Sequence, residues 1–314
     1  MTTDADVRDL LSSRGIRPRS TVPLTVGQKN VTLLVKSEAG DRYIVRLYAS
    51  ATPAEVEYEL DAVGFLSARG FPTPAPITAA NGQLAGYAGD RPAAVFIFAS
   101  GSHPSELAIA HRQDLKLGLQ AAALAGRLHQ LTRGRSFAGQ RTDRLDPLRR
   151  ITGYFDGPLA SLPALEQATE QLVELKRTLT DIYVAASMPR GLIHNDISAH
   201  NLLLDGGGSV TALIDFDDCM TSFLLFDLGR IVEVWGSDEK GNLDIDRVTQ
   251  LIDAYSRERT LSHEEARHAT VLIAGYAAAT GADVLARKLQ HRQPISGPRD
   301  SNALSVALQL AAGT

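Results

Sequence analysis

The stretch His194-Asn195-Asp196-Ile197-Ser198-Ala199-His200-Asn201, followed fourteen residues later by Asp215-Phe216-Asp217, decides how this chain is read. Its pattern is H-x-D-x-x-x-x-N and then D-F-D. Asp196 sits in mid-loop, where a carboxylate can accept or orient the proton of a hydroxyl. Asn201 offers a neutral oxygen ligand. Asp215 ends the apolar run Leu213-Ile214 and offers an anionic one. An all-oxygen set this sparse suits Mg²⁺ beside phosphate oxygens better than Zn²⁺ or Ca²⁺.

Working outward, Gly191-Leu192-Ile193 precedes the loop, and Leu202-Leu203-Leu204 and Ala212-Leu213-Ile214 follow it as short strands turned by Gly206-Gly207-Gly208. A lone H-x-D-x-x-x-x-N also fits an ordinary loop with a capping aspartate. The ordered context favours chemistry: one base, two metal ligands, and the spacing used to move a γ-phosphoryl group from ATP to a hydroxyl. His194 reads as a brace of the loop rather than a proton carrier. His200 is open between substrate and solvent, and Asp217 and Asp218 between metal, cationic substrate and solvent. Asp227, in the run Phe223-Leu224-Leu225-Phe226-Asp227-Leu228, is costly to bury unless paired. It is expected to brace the catalytic loop, with a substrate role as the lesser alternative.

Upstream, Val7, Leu10 and Leu11 predict a short helix stopped by Gly15. Val31–Val35 and Tyr43–Tyr48 predict a hairpin turned at Glu38–Asp41. Thr52 and Pro53 open a helix with Val56, Leu60, Val63 and Leu66 on one face, ended by Gly70. Strands are expected at Gly82–Tyr87 and Ala93–Phe98. From Asp114 the pattern is mostly helical, with a stripe at Leu117, Ala121, Leu124 and Leu128, a long helix over Leu165–Ala186, and a looser stretch near Pro294–Pro298. This order predicts an α+β bilobal architecture with a nucleotide site in a cleft: a small antiparallel-sheet N-terminal nucleotide-binding lobe, residues 1–100, and a larger helical C-terminal catalytic and substrate lobe, residues 101–314.

The chain has 314 residues, 44% hydrophobic and 22% charged, with a formal net charge of −4. That balance argues against general attraction to nucleic acid or acidic membranes. The single cysteine, Cys219, excludes an intrachain disulfide and a cysteine metal cage. The acidic N-terminus lacks an apolar signal core, and no run is expected to reach the roughly 18 apolar residues of a bilayer span. A reducing, cytoplasmic setting is expected, and a homodimer stays open.

The chain resembles the aminoglycoside phosphotransferase and choline kinase superfamily, most of all type II homoserine kinases. The resemblance runs from about Thr21 to beyond Trp235. It rests on Gly27-Gln28-Lys29-Asn30, Ala68-Arg69-Gly70-Phe71-Pro72-Thr73-Pro74, Leu128-His129, the His194–Asn201 loop and Phe226-Asp227-Leu228. It implies a protein-kinase-like fold and an ATP- and Mg²⁺-dependent small-molecule kinase. Asp196 would be the base, with Asn201 and Asp215 on the metal. Gly27 to Asn30 would form the phosphate-covering turn. Arg46 would stand in for the strand lysine that grips ATP, paired with Glu59, with Glu55 and Glu57 within reach. Phe98 to Ser100 would contact adenine, with Val45 and Phe98 as walls. Ser198, His200, Asp217 and Arg230 are candidate acceptor contacts. The i,i+3 pairing of Arg230 with Asp227 is the plainer reading. Arg133, Arg135, Arg141, Arg144, Arg149 and Arg150 suit an anionic acceptor or a solvated loop. By the resemblance, the acceptor would be homoserine or a related amino alcohol. The alternatives are an aminoglycoside antibiotic or a non-catalytic nucleotide-binding module, whose support is arginine at position 46. No A-P-E segment follows Asp215, which argues against a protein kinase.

Overall fold

The computed structural model describes residues 2–24, 30–107, 114–141, 145–185, 188–238 and 241–313. Two compact units emerge: Met1–Gly101 with Ser136–Thr142 and Thr211–Asp217, and Ser102–Arg135 with Asp143–Val210 and Asp218–Thr314.

In the first unit, α1 (Asp4–Ser12) starts at a capping box in which Thr3 and Asp6 satisfy each other's backbone N–H. The strands β1 (Pro18–Leu24), β2 (Val31–Ser37), β3 (Arg42–Leu47), β4 (Gly86–Ala88) and β5 (Arg91–Ile97) form one antiparallel sheet in the order β1-β2-β3-β5-β4. The expected hairpin is β2–β3, with Val31 opposite Leu47 and Lys36 opposite Arg42. β1 was not foreseen. It carries Pro18 and Pro23, which are tolerated because it pairs only with β2, at the sheet edge. Val7, Leu10, Leu11, Leu33, Val35, Val45, Leu47 and Val95 pack into one core. Each such side chain is worth about 1.5–3 kcal/mol of burial. Successive strand residues face opposite ways, so Arg46 lies on the other face from Val45 and Leu47. α2 (Pro53–Ser67) opens with Thr52 and Glu55 in a capping box and buries Val56, Leu60, Val63 and Leu66. The later segment adds Phe137, edge-on to Tyr58 and Phe65 at 5.9 and 5.7 Å.

The second unit is mostly helical: α3 (Leu115–Thr132), α4 (Pro147–Phe155), α5 (Thr169–Ala185), α6 (Phe226–Trp235), α7 (Ile245–Glu258), α8 (His263–Gln290) and α9 (Asn302–Ala312). α8 packs on α4, α5, α6 and α9, and α3 packs on α7. α8 is long and apolar enough to cross a membrane, contrary to expectation, but 72% of its apolar window is buried inside the protein, as in a core helix. β6 (Arg190–Ile193) pairs antiparallel with β9 (Met220–Phe223). β7 (Leu202–Leu204) follows the catalytic loop, and β8 (Val210–Leu213) leads toward Asp215.

Candidate active site

The loop after β6 hangs on one buried carboxylate. Asp227, at the start of α6 and fully buried, accepts from the backbone N–H of His194 at 2.8 Å and of Asn195 at 2.7 Å. His129 Nε2 lies 3.0 Å from the same carboxylate, and Tyr255 Oη lies 2.8 Å from His129 Nδ1. A carboxylate only accepts, so Nε2–H donates to Asp227 and Nδ1 accepts a hydrogen bond from the Tyr255 hydroxyl, the pattern of a neutral imidazole. Burial pushes the His129 pKa down, against the opposing pull of Asp227. Both carboxylate oxygens of Asp227 thus have partners, which is what a charge needs to be buried. Asn195 follows at φ +70°, the left-handed region. Glycine enters it freely and asparagine tolerates it. The Tyr276 hydroxyl, from α8, donates to the Asn195 carbonyl.

Asp196 projects from this held loop, its side chain 43% exposed. Arg230 Nε donates to its Oδ1 at 2.9 Å, and Asn201 Nδ2 donates to its Oδ2 at 3.0 Å and to its carbonyl at 2.9 Å. Arg230 spends its next nitrogen, Nη1, on the buried Glu233, not on Asp227 as the i,i+3 spacing suggested. Burial alone would weaken the Arg230 charge, but Glu233 and Asp196 outweigh it and hold its pKa up. Ser198 is buried, and its hydroxyl has no hydrogen-bond partner among the described residues. His200 is exposed and stacks on His103 at 5.6 Å.

Within the first unit, Arg46 gathers three carboxylates. Its Nη2 is 3.1 Å from Asp215 Oδ1, its Nη1 is 3.6 Å from Glu59 Oε1, and it also bonds Asp217. Burial disfavours the Arg46 charge, yet Asp217, Asp215 and Glu59 together hold its pKa up. Glu59, not Glu55 or Glu57, is the helix partner: Glu55 is consumed by the Thr52 cap and Glu57 is exposed. Burial pushes the Glu59 carboxyl up, Arg46 and Arg141 pull it back, and Tyr48 donates to it at 3.0 Å. Asn30 spends its side chain on Asp217 and on the Ala49 N–H. Gly27 lies outside the described residues. Asp215 sits at φ +68°, beyond a strand tied to the first unit by Leu213 N–H donating to the Pro72 carbonyl at 2.8 Å. Phe98 stacks under the Arg42 guanidinium at 4.0 Å, and the Ser100 carbonyl accepts from Thr211. Val45 does not share the Arg46 face. It belongs to the core cluster on the opposite face, and alternation gives that place to Ile44. The arginine run is dispersed: Arg141 binds the Phe216 and Asp217 carbonyls, Arg150 pairs with Asp283, and Arg144 is outside the described residues.

Glu233, Tyr255 and Tyr276 were not found from sequence. Glu233 has the i+3 spacing from Arg230, which hints at a pair. Nothing in the linear pattern brings the tyrosines of α7 and α8 to the loop.

The pattern of the phosphotransferase enzyme family matches residues 20–261. The chain is 30% identical to the homoserine kinase of Gluconacetobacter diazotrophicus over 280 residues, 87% of this chain and 80% of that protein. It is 25% identical to the homoserine kinase of Afipia carboxidovorans, over 87% and 78% of the two chains. In fold it is similar to a microcompartment-associated aminopropanol kinase, with a TM-score of 0.68 at 19% identity over 99% and 95% of the chains. It is also similar to an amicoumacin kinase solved with AMP-PNP and Ca²⁺, with a TM-score of 0.66 at 16% identity over 99% and 94%. With its antiparallel sheet, its helical unit and its loop from His194 to Asn201, the chain belongs to the phosphotransferase enzyme family.

Proposed function

We propose that the protein transfers the γ-phosphoryl group of ATP, with Mg²⁺, to the side-chain hydroxyl of homoserine or a closely related amino alcohol. The observation that carries this is Asp196: a partly exposed carboxylate, held at both oxygens, on a loop whose backbone is fixed by Asp227. The homoserine kinases at 25–30% identity support the acceptor. Residues 1–100 are assigned to the nucleotide and residues 101–314 to catalysis and the acceptor.

The residue types proposed for the cation suit its chemistry. Asn201 spends its Nδ2 on Asp196, which leaves its amide oxygen as a ligand, and Asp215 adds a carboxylate. Among the described residues no group of three His, Cys, Asp or Glu could hold a metal ion. The remaining ligands would be phosphate oxygens and water, as Mg²⁺ prefers. When bound, the ion would neutralise phosphate charge. Arg46, aimed by Glu59, would grip phosphate oxygens, with Gly27 and Asn30 in the covering turn and Phe98 to Ser100 along the adenine.

Asp196 orients the acceptor hydroxyl and takes its proton. The hydroxyl oxygen bonds to the γ-phosphorus as the bond to the β-bridging oxygen breaks, and ADP leaves. Each oxygen of Asp196 keeps a lone pair for the hydroxyl after serving Arg230 or Asn201. Orientation counts most, because the transition state is loose and asks little covalent work of the protein.

The test is purified protein with ATP and Mg²⁺ against L-homoserine, amino alcohols, sugars and aminoglycosides. Homoserine should be phosphorylated, and Asp196→Asn should lower kcat by about 10²–10⁴ with Mg·ATP binding retained. Binding of Mg·ATP with no product from any acceptor would instead mark a non-catalytic binding module.

A further inference from the structure

Arg230 stands in an unusual place for a structural cation. It is on α6, one hydrogen bond from the carboxylate that must meet the acceptor hydroxyl. Three features set what it can do.

The first is that it is aimed. Nε is fixed by Asp196 and Nη1 by Glu233, whose side chain is only 4% exposed. A guanidinium is rigid and planar, so fixing two nitrogens fixes the third. The second is that the third is unspent. Nη2 makes no hydrogen bond among the described residues, and it is not sealed from solvent, since the side chain is 21% exposed. The third is that the platform is stiff. Gly229 lets α6 press against α8: a Cβ there would come within 2.4 Å of the Tyr276 Cβ. The same tyrosine bonds the loop at Asn195.

Holding Asp196 alone does not call for an arginine. A partly buried guanidinium carries a desolvation cost that an amide donor would avoid. What an arginine adds is a fixed positive edge beside the base. Any acceptor whose hydroxyl reaches Asp196 passes within a few ångströms of that edge. A carboxylate two or three carbons from the hydroxyl gains a charge-assisted hydrogen bond there, whereas an ammonium in that position is repelled.

We propose that Arg230 binds the carboxylate of the acceptor through Nη2, so that the acceptor is a hydroxyl-bearing amino acid rather than a carboxylate-free amino alcohol or an aminoglycoside. This rests on the kinase function proposed above and narrows its acceptor. Glu233 is then a positioning residue, holding Arg230 in line.

The experiment compares three acceptors at saturating Mg·ATP: L-homoserine, 3-aminopropan-1-ol, which lacks the carboxylate, and 4-hydroxybutyrate, which lacks the ammonium. The wild-type protein should favour homoserine over 3-aminopropan-1-ol by roughly 10²-fold or more in kcat/KM, because a site built to bind a charged group is left unpaired by the analogue. 4-Hydroxybutyrate should fall between them. Arg230→Gln should narrow the preference by roughly tenfold or more, mainly through the KM for homoserine, and Arg230→Lys should restore part of it. An arginine that merely steadies Asp196 would lose both acceptors equally, through kcat, and that result would overturn the proposal. Equal use of homoserine and 3-aminopropan-1-ol by the wild-type protein would also overturn it while leaving the kinase function standing. Failure to phosphorylate any acceptor would remove both. Should Arg230→Gln not fold, the wild-type ratio decides alone.

Discussion

At His129 a single imidazole joins two jobs. It is fully buried, donates to Asp227, and so shares the carboxylate that holds the catalytic loop. Asp227, Tyr255, Arg259 and Glu265 all act on it, and burial leads in pushing its pKa down. The sign of the pH effect follows. In the unfolded chain a histidine takes a proton near pH 6.5, about its ordinary value. In the folded protein it resists, so below that pH the unfolded state holds more protons. Stability from this group is present above about pH 6.5 and is lost as pH falls through the folded value. Thermal unfolding should therefore show Tm falling on acidification below about pH 6.5, and less steeply in His129→Gln, which keeps a donor for Asp227. Parallel curves for the two proteins would sink this account. Residues of this kind divide sharply in how far sequence reveals them. Asp196, Asn201 and Asp215 stand at fixed spacing on one stretch of chain, so their pattern is visible. Asp227 is visible because a carboxylate in an apolar run demands a partner. Tyr255 and Tyr276 are apolar-helix residues by pattern, and only the packing of helices far apart in sequence turns their hydroxyls to the site.

The elements show where local signals suffice. α1, α2 and the β2–β3 hairpin carry caps, a proline at the first turn and a run of β-branched residues, and each forms where those signals lie. β1 and β9 do not announce themselves. β1 is broken by two prolines, and β9 (Met-Thr-Ser-Phe) is short and exists through its ladder to β6. α4 was also missed, although Asp146 caps it and Pro147 opens it. Its neighbours are arginines, which read as loop. Helix spacing matters as much as helix existence. At Gly229, besides the Tyr276 contact, a Cβ would meet the Ile273 carbonyl at 2.8 Å, and at Gly126 it would meet the Tyr255 carbonyl at 2.5 Å. These two close approaches deliver the two tyrosines, one to the Asn195 carbonyl and one to His129. Gly229→Ala must push α6 from α8, and overpacking of this sort costs about 1–3 kcal/mol. Chemical denaturation should show a lower midpoint with an unchanged slope, and kcat should fall further than stability alone explains, because Tyr276 leaves the loop. An unchanged midpoint would mean that the helices can part without cost.

On the scale of the whole molecule, the first unit's longest segment ends at Gly101, but that unit is not continuous. Ser136–Thr142 and Thr211–Asp217 belong to it as well. Distance along the chain hid this, since nothing in the local pattern of Phe137 or Leu213 says what it packs on. The consequence for folding is large. Phe137 sits edge-on to Tyr58 and Phe65, Gln140 N–H donates to the Ala54 carbonyl at 3.1 Å, and Leu213 N–H donates to the Pro72 carbonyl. Arg46, a half-buried cation in β3, finds two of its three carboxylates, Asp215 and Asp217, in the last segment. Removing a buried phenylalanine costs about 3–5 kcal/mol. Stripping partners from a half-buried charge adds to that cost. A domain of this size has only about 5–15 kcal/mol in total. A fragment ending at residue 101 should thus retain strand content by circular dichroism yet melt broadly, with exposed apolar surface that binds hydrophobic dye. Restoring residues 136–142 and 211–217 through short linkers should sharpen the melt. A cooperative transition in the bare fragment would show that its core cluster suffices without the later segments.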